Sequence, residues 1–256
     1  MRLNFTRLVC FLALLLVVTA CQDHRTPTSP AQRFRLKKST QATLRFYYSA
    51  SYTYTNTGQL GSYVIRTGSS SLVETSPGFS IMLNYDGQGR LMSAAGKSID
   101  NYPLSYSYEY DSNGNIISVK RYDDQTNSGT PTLRYTYQLD YAGLKAPSKL
   151  TTTLFGSSGQ TTSSQQYTYS NENLTRIDYS DNPNQSLFTY GDKANPFYGL
   201  ITAEPNSNAF SKNLSIDGRY IDSYDANGLL IKRVIPSGSP ASTQNDVILT
   251  YEYEVF

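Results

Sequence analysis

The 256-residue chain contains no tryptophan, one histidine and two cysteines. Both cysteines, Cys10 and Cys21, lie near the N-terminus, so the rest of the chain has no thiol for a disulfide, a cysteine metal cluster or a nucleophile. His24 is also close to the N-terminus, and this position excludes imidazole-dependent catalysis from the remainder. Stability and function must therefore come from other residue types.

Charge is also scarce. Charged residues make up 16% of the chain, and its formal charge of +2 equals the contribution of Arg2 and Arg7 alone, so the sequence after Cys21 is neutral. Nucleic-acid-binding proteins carry a basic footprint, and we therefore expect no nucleic-acid partner. The one local excess, four basic residues within 33–38, is either a solvated run or a contact for membrane phosphates.

The N-terminus has the pattern of an export signal. A thirteen-residue apolar run, Leu8–Ala20, follows the basic start; it is shorter than the roughly 20 residues of a membrane span and typical of a secretory signal peptide, predicted over residues 1–20. Val18-Thr-Ala-Cys21 resembles a bacterial lipobox, which implies acylation (palmitate) of Cys21 and an outer-membrane lipid anchor. The alternative is an ordinary signal peptide with a chance cysteine. Whether the body faces the periplasm or the cell surface stays open.

Residues 21–43 are predicted to be a flexible tether, because threonine, serine, proline and basic residues dominate and little is available to bury. Residues 44–256 are predicted to form a single β domain.

This body is repetitive. Four stretches share one pattern, in which glycine follows a central tyrosine or its equivalent by four positions and an aliphatic residue follows by six: YTYTNTGQL (52–60), LNYDGQGRL (83–91), YEYDSNGNI (108–116) and DSYDANGLL (222–230). Weaker units occur at 141–144, 167–174 and 195–200. The predicted turns fall at 58, 89, 114, 143, 173, 199 and 228, a spacing of 25 to 31 residues. Such a period indicates a repeat architecture with two strands per unit.

The strands are marked by tyrosine at alternate positions. Tyr106, Tyr108 and Tyr110 share one face of a strand, with serine and glutamate on the other, and tyrosine suits a half-buried sheet surface. Asn113-Gly114 and Asn227-Gly228 predict hairpin turns that need positive φ. Only residues 206–212 hint at a helix. We therefore predict an all-β fold: an extended, twisted antiparallel sheet of consecutive hairpins, which either stays open or curls.

The Tyr-Asp-x-x-Gly-x-Leu pattern resembles the YD repeat of Rhs toxins and teneurins, in which many hairpins wind into a long sheet. Tyr110-Asp111, Tyr85-Asp86 and Tyr224-Asp225 match it, whereas Tyr54 is followed by threonine and Tyr169 by serine. A broad group of YD-like Bacteroidota lipoproteins is more similar, and Asp192–Phe197 with Gly199-Leu200 resembles a segment of that group. The resemblance implies a fold and an envelope location, and it supplies no catalytic residue.

Two chemical interpretations of the acidic residues, a calcium loop and a glycosidase pair, have weak support. Asp111, Asn113 and Asn115 have the start of a calcium-loop spacing, but position twelve is Tyr122 rather than a carboxylate. The pairs Asp123-Asp124 and Asp178 with Asp181 could be imagined as a glycosidase pair, but they fall in predicted turns. We therefore expect no enzyme, no catalytic residue, no metal and no cofactor.

Two functional hypotheses remain. In the first, the chain is a non-catalytic scaffold of the cell envelope, and its N-terminal lipid contacts the membrane. In the second, it is a module that binds a glycan or peptide through an exposed tyrosine face, for which Tyr251 and Tyr253 are the candidate residues. A hairpin sheet would leave its end strands free, near Leu44–Tyr54 and at Val247–Phe256, and free edges invite pairing with a protein partner.

Overall fold

A computed structural model describes residues 33–43, 45–68, 78–126, 128–143, 146–237 and 246–256. The predicted signal peptide, the lipidation site Cys21 and His24 lie outside these ranges. Arg35–Glu254 forms one compact unit, and the other described residues (33, 34, 255 and 256) belong to a second. In that second unit the amide of Phe256 donates to the carbonyl of Arg33 over 3.1 Å.

The regular secondary structure of the described chain is almost entirely strand, as the sequence predicted. The strands are β1 Phe34–Ala42, β2 Tyr47–Tyr54, β3 Leu60–Gly68, β4 Phe79–Tyr85, β5 Leu91–Lys97, β6 Pro103–Tyr110, β7 Ile116–Asp123, β8 Thr132–Asp140, β9 Lys149–Gly156, β10 Gly159–Ser170, β11 Asn173–Tyr179, β12 Gln185–Leu187, β13 Thr189–Ala194, β14 Asn213–Ile216, β15 Ile221–Tyr224, β16 Leu230–Ile235 and β17 Val247–Val255. A 3-10 helix spans Ser207–Phe210, inside the stretch with the weak helical hint. Within the described ranges, no helix has the length and apolarity needed to cross a membrane.

Fifteen strands form one antiparallel sheet, and the ends of the chain meet inside it. Its order is β12-β11-β10-β9-β8-β7-β6-β5-β4-β3-β2-β1-β17-β16-β15, and β13 pairs with β14 in a separate ribbon. The prediction that the strands near Leu44–Tyr54 and at Val247–Phe256 are free edges is therefore wrong. The first corresponds to β2, which lies between β1 and β3, and the second to β17, which lies between β1 and β16. The edges are β12 and β15, of three and four residues. Such short edge strands offer little template for pairing with another chain.

The β domain also begins earlier than residue 44. Residues assigned to the tether form β1, in which Leu36 and Ser39 are buried. The basic residues of this segment obscured the strand: Arg35 forms an ion pair with Glu254 on β17 at 2.6 Å. Since β17 supplies both a partner backbone and an acidic side chain, a segment that looks solvated in the sequence is stable as an interior strand.

The repeated hairpin turns have the geometry of a three-residue loop closed by a left-handed residue. In the Asp111–Asn115 turn, the amide of Asp111 donates to the carbonyl of Asn115 and the amide of Gly114 donates back to the carbonyl of Asp111. Gly114 and Gly228 have φ angles of 82° and 77°, which confirms the prediction of positive φ at both. The same backbone bonds close the turns after Thr55, Asp86 and Asp225.

The unit at 167–174 turns differently. Position 173, where the sequence placed the turn, is the first residue of β11; the reversal is made by Asn171 and Glu172, with φ angles of 50° and 63°. Two successive residues at positive φ make a two-residue hairpin loop, and this explains why the unit is one residue short.

A β-bulge follows each of these turns. Opposite the pair Glu109-Tyr110, the register jumps from Ser118 to Ile116, and Ile117 has no partner. Equivalent jumps leave Met92 and Ile231 unpaired. The bulge turns the extra residue outward, and for this reason these apolar side chains are at least one-third exposed. It also returns the next residues to the tyrosine face.

The tyrosine face carries the core. Its buried residues form two clusters. The larger contains Leu60, Tyr63, Ile81, Leu83, Leu91, Ala94, Leu104, Tyr106, Val119, Tyr137, Leu139, Leu150, Tyr167, Leu174, Ile177 and Ala203. The smaller contains Leu36, Leu214, Leu230 and Tyr251. Ala203 and Leu214 come from the chain between β13 and β15, so this chain packs on the tyrosine face of the sheet.

Candidate functional site

Most of the tyrosine hydroxyls are used within the fold. Tyr85, at the end of β4, donates its hydroxyl to the carbonyl of Leu60 at the start of β3, over 2.8 Å. Tyr110 does the same to Leu91 over 2.7 Å. The equivalent bonds are Tyr54 to Leu36, Tyr169 to Pro147 and Tyr253 to Leu230. Tyr85 and Tyr110 thus tie their own hairpins to the preceding strand of the sheet, at points where a bulge has loosened the ladder.

The aspartate that follows the tyrosine organises the turn. One carboxylate oxygen of Asp111 accepts the amides of Asn113 and Asn115, each at 2.8 Å, and the other accepts the Asn115 side chain at 2.9 Å. Hydrogen bonds from Asn115 lower the pKa of Asp111. The oxygens proposed for a calcium loop are therefore committed to the hairpin. Within the described part of the chain, no cluster of three or more histidine, cysteine or acidic side chains has metal-binding geometry.

Tyr141 breaks the pattern of bonded hydroxyls. By analogy with Tyr110 its hydroxyl should reach the carbonyl of Ile116 at the start of β7, yet it makes no hydrogen bond to any described residue. The reason lies in the turn: Gly143, with φ of 73°, follows Tyr141 by two positions instead of four. The chain therefore leaves β8 differently, and the amide of Ser148 donates to the carbonyl of Asp140.

A covering segment, residues 195–211, lies over the tyrosine face. It is held in shape by Asn195, whose side-chain amide donates to the carbonyls of Asn208 and Ser211 and whose carbonyl oxygen accepts the amide of Phe197. The amide of Gly199 donates to Ala209 across the segment. The Asn195 side chain thus makes hydrogen bonds that the backbone of an additional strand would otherwise make. Residues 195–200 of the stretch that resembles the lipoprotein group belong to this covering segment.

Glu204 fixes the covering segment to the sheet. Its two carboxylate oxygens accept the hydroxyls of Tyr106 and Tyr137, each at 2.8 Å, and Arg121 donates to it at 3.0 Å. Arg121 also forms a two-point ion pair with the buried Asp123. Burial, then the charge of Glu204, raises the pKa of both tyrosines far above the ordinary value. The cluster thus joins Glu204 to three donors of the sheet.

A cavity of about 830 Å³ lies between the covering segment and the hairpin ends of the sheet. Its walls are mostly apolar or aromatic side chains. These side chains include Tyr108, Tyr110, Leu139, Tyr141, Tyr169 and Phe210. The turns that end β4, β6, β8 and β10 contribute Gly89, Gly114, Gly143 and Asn171 to its rim. This cavity is of ligand size.

The structure places the candidate binding residues in the core. Tyr251 is 7% exposed and meets the ring of Phe197 edge to face at 6.0 Å. Burial raises its pKa to about 12. Tyr253 is half-buried and donates its hydroxyl to Leu230. Tyr251 is thus too buried to form part of an exposed tyrosine face, whereas Tyr253 is partly exposed.

The carboxylate pairs are also placed differently from the expectation. Asp123 is the last residue of β7 and is buried, as is Asp124, so the prediction of unburied turn residues is wrong for this pair. Asp124 accepts the amides of Ser128 and Gly129 and shapes a loop, while Asp123 binds Arg121. Asp178 lies on β11 beside Arg176 at 2.6 Å, and Asp181 follows β11.

Sequence reasoning named Tyr141 only as part of a weak repeat unit and a tyrosine face, and it did not single out Glu204 or Arg121. Glu204 was detectable in principle, since it is the one charged residue in the stretch Tyr198–Phe210. Its role depends on residues 67 to 98 positions away, and no local pattern reveals such a contact.

Comparison with known proteins gives weak structural likenesses. No protein-family model matches the chain, and no curated protein matches it. A porin-like protein from Bacteroides uniformis aligns at 10% identity with a TM-score of 0.38, covering 86% of this chain and 98% of that one. The Tc holotoxin pore of Photorhabdus luminescens aligns at 12% identity with a TM-score of 0.24 over 82% of this chain and 13% of the toxin chain. Neither score is high enough to establish a shared fold.

Proposed function

We propose that this chain is a non-catalytic lipoprotein of the outer membrane, anchored through Cys21 and serving as a scaffold in the cell envelope. The main support is that the hydroxyls of the repeat tyrosines donate hydrogen bonds to backbone carbonyls of neighbouring strands. In this proposal the repeated motif builds and locks a sheet. The resemblance to YD-type lipoproteins and the lipobox-like end of the apolar N-terminal run supply the envelope location.

The absence of enzymatic activity belongs to the same proposal. The buried acidic residues of the described chain are bound internally: Asp123 by Arg121, and Asp124 by loop amides. Glu204 has three donors. A general acid or base must exchange a proton with a substrate within hydrogen-bond reach. The carboxylates of these residues instead accept hydrogen bonds from other residues of the protein.

The scaffold proposal is tested with Tyr251→Ala combined with Tyr253→Ala. Because the first ring is buried and the second hydroxyl ties β17 to β16, we expect a loss of about 3 kcal/mol or more in the free energy of unfolding, measured by thermal or denaturant unfolding. The matched control is Tyr198→Ala, since Tyr198 is 48% exposed and should change stability little. If the double variant melts like wild type but stops adhering to a glycan or cell-surface partner, the binding-module hypothesis replaces the scaffold.

The anchor is tested separately. Wild-type protein isolated from cells should carry an acyl mass on the N-terminal cysteine and fractionate with the outer membrane, whereas Cys21→Ser should lack both. An unacylated wild-type N-terminus would remove the anchor from the proposal and leave the scaffold test above unaffected.

A further inference from the structure

We propose that the cavity beneath the covering segment is a binding site for a small uncharged, mainly apolar molecule that presents one hydrogen-bond acceptor to the hydroxyl of Tyr141. This assignment goes beyond the scaffold role, and it does not depend on it.

The size and walls of the cavity set the class of ligand. A volume of about 830 Å³ falls within the range of roughly 300–1,000 Å³ typical of small-molecule sites. Leu139, Phe210 and the rings of Tyr108, Tyr110 and Tyr169 supply apolar contact area, and flat rings suit aromatic or ring-containing ligands as well as aliphatic ones.

The charges around the cavity indicate an uncharged ligand. Among its described lining residues the charged ones are Arg90, Glu172 and Glu204. Each has an internal partner: Arg90 binds Asp86 at 2.8 Å, Glu172 binds Lys212 at 2.9 Å, and Glu204 binds Arg121 at 3.0 Å. A charged ligand would be desolvated without a counter-charge, and the cost of such burial is high.

Tyr141 supplies the specific contact. The hydroxyls of Tyr108, Tyr110 and Tyr169 donate to the carbonyls of Ala203, Leu91 and Pro147, respectively. Tyr141 lines the same cavity and is half-buried, and its hydroxyl donates to no described group. Tyr198 also lines the cavity and its hydroxyl makes no hydrogen bond to any described residue, but its side chain is 48% exposed. Tyr141 is therefore the half-buried donor that suits a ligand with an apolar body and one carbonyl or ether oxygen as acceptor.

The proposal is tested by titrating the purified full chain with Prodan, an uncharged naphthyl ketone whose emission shifts in apolar surroundings. The background in the same detergent is subtracted. We expect saturable binding to wild type, and at least tenfold weaker binding to Ala146→Trp, which adds an indole to the cavity wall. The control is Ala142→Trp, because Ala142 lies on the same connection but is exposed and outside the wall. Equal binding by Ala146→Trp and wild type, or no saturable binding to wild type, overturns the site.

Tyr141→Phe tests the hydrogen bond without changing the volume. Loss of one neutral hydrogen bond corresponds to about fivefold weaker binding of the ketone. A naphthyl hydrocarbon that lacks the ketone should bind wild type and Tyr141→Phe equally. Ketone binding that Tyr141→Phe leaves unchanged overturns the role of Tyr141. Because this variant is isosteric, it gives an answer even if Ala146→Trp fails to fold.

Discussion

At position 114 the backbone conformation favours glycine, and lack of space for a side chain is not the reason. The φ angle is 82°, and a side chain built there would meet no atom within 4 Å. Gly96 is the opposite case: its φ angle is ordinary for a strand, but a Cβ would lie 1.8 Å from the carbonyl oxygen of Ser80 on β4. Glycine therefore serves two physical purposes in this sheet, and only the first is visible as a repeated motif.

We expect Gly114→Val to lower the free energy of unfolding by about 1–2 kcal/mol or more, since a β-branched residue is strained at positive φ. Ser112→Ala, at an exposed position of the same turn, should change it little. Thermal unfolding of the two variants makes the comparison. Similar effects from both would contradict the assigned turn geometry.

Among the elements, the hairpin with its bulge and its tyrosine is the unit that repeats. The bulge would weaken the ladder between paired strands, and the tyrosine hydroxyl compensates by bonding the start of the preceding strand, as Tyr110 does to Leu91. β15 is an edge of the sheet, so no further strand lies beyond it, and the hydroxyl of Tyr224 donates to Asp222 instead of to a carbonyl of such a strand. The motif thus needs a neighbouring strand to be fully satisfied.

Tyr85→Phe and Tyr110→Phe should each reduce the free energy of unfolding by about 1 kcal/mol, the net worth of a typical hydrogen bond, or more if the carbonyl is left unpaired. Tyr141→Phe is the matched control, because its hydroxyl has no bond to lose within the described structure. Denaturant unfolding of the three variants tests this. Equal losses at all three positions would show that the ring environment, and not the carbonyl bond, is responsible.

Much of this element was predictable from sequence. Alternating tyrosines marked the buried face, and the Asp-x-x-Gly spacing marked the turns, because both depend on residues a few positions apart. The bulge also leaves a local trace, since core residues after a turn lie three apart, as Leu91 and Ala94 do. The contact of Gly96 with Ser80 and the bonds of Glu204 could not be predicted, because they depend on how distant strands pair and how the covering segment folds back.

Within the compact unit Arg35–Glu254, one carboxylate joins the covering segment to three strands of the sheet. Glu204 gathers two tyrosine hydroxyls and an arginine from three strands, β6, β7 and β8, and Ala203 beside it is completely buried. A hydrogen bond to a charged group is worth more than a neutral one. This single side chain therefore couples a loop to the central part of the sheet.

Glu204→Gln should lower the free energy of unfolding by about 2–3 kcal/mol, since the amide nitrogen cannot accept from a hydroxyl and the ion pair with Arg121 is lost. It should also expose the covering segment to limited proteolysis. The control is Glu109→Gln, whose exposed pair with Lys120 should be worth less than about 1 kcal/mol. If the covering segment of Glu204→Gln resists proteolysis as in wild type, apolar packing alone is enough to attach it to the sheet.

The pairing of β1 with β17 determines when folding can finish. Thr40 and Thr250, which bond across this pair, are 210 residues apart, whereas Tyr85 and Leu60 are 25 apart. Closing the longer loop costs about 2 kcal/mol more in chain entropy, and contacts of long sequence separation slow folding. The hairpins, including that of β1 with β2, can therefore form in sequence during synthesis, whereas the pairing of β1 with β17 must wait for the last strand. Pulsed hydrogen exchange during refolding should protect β6 and β7 amides before those that join β1 to β17.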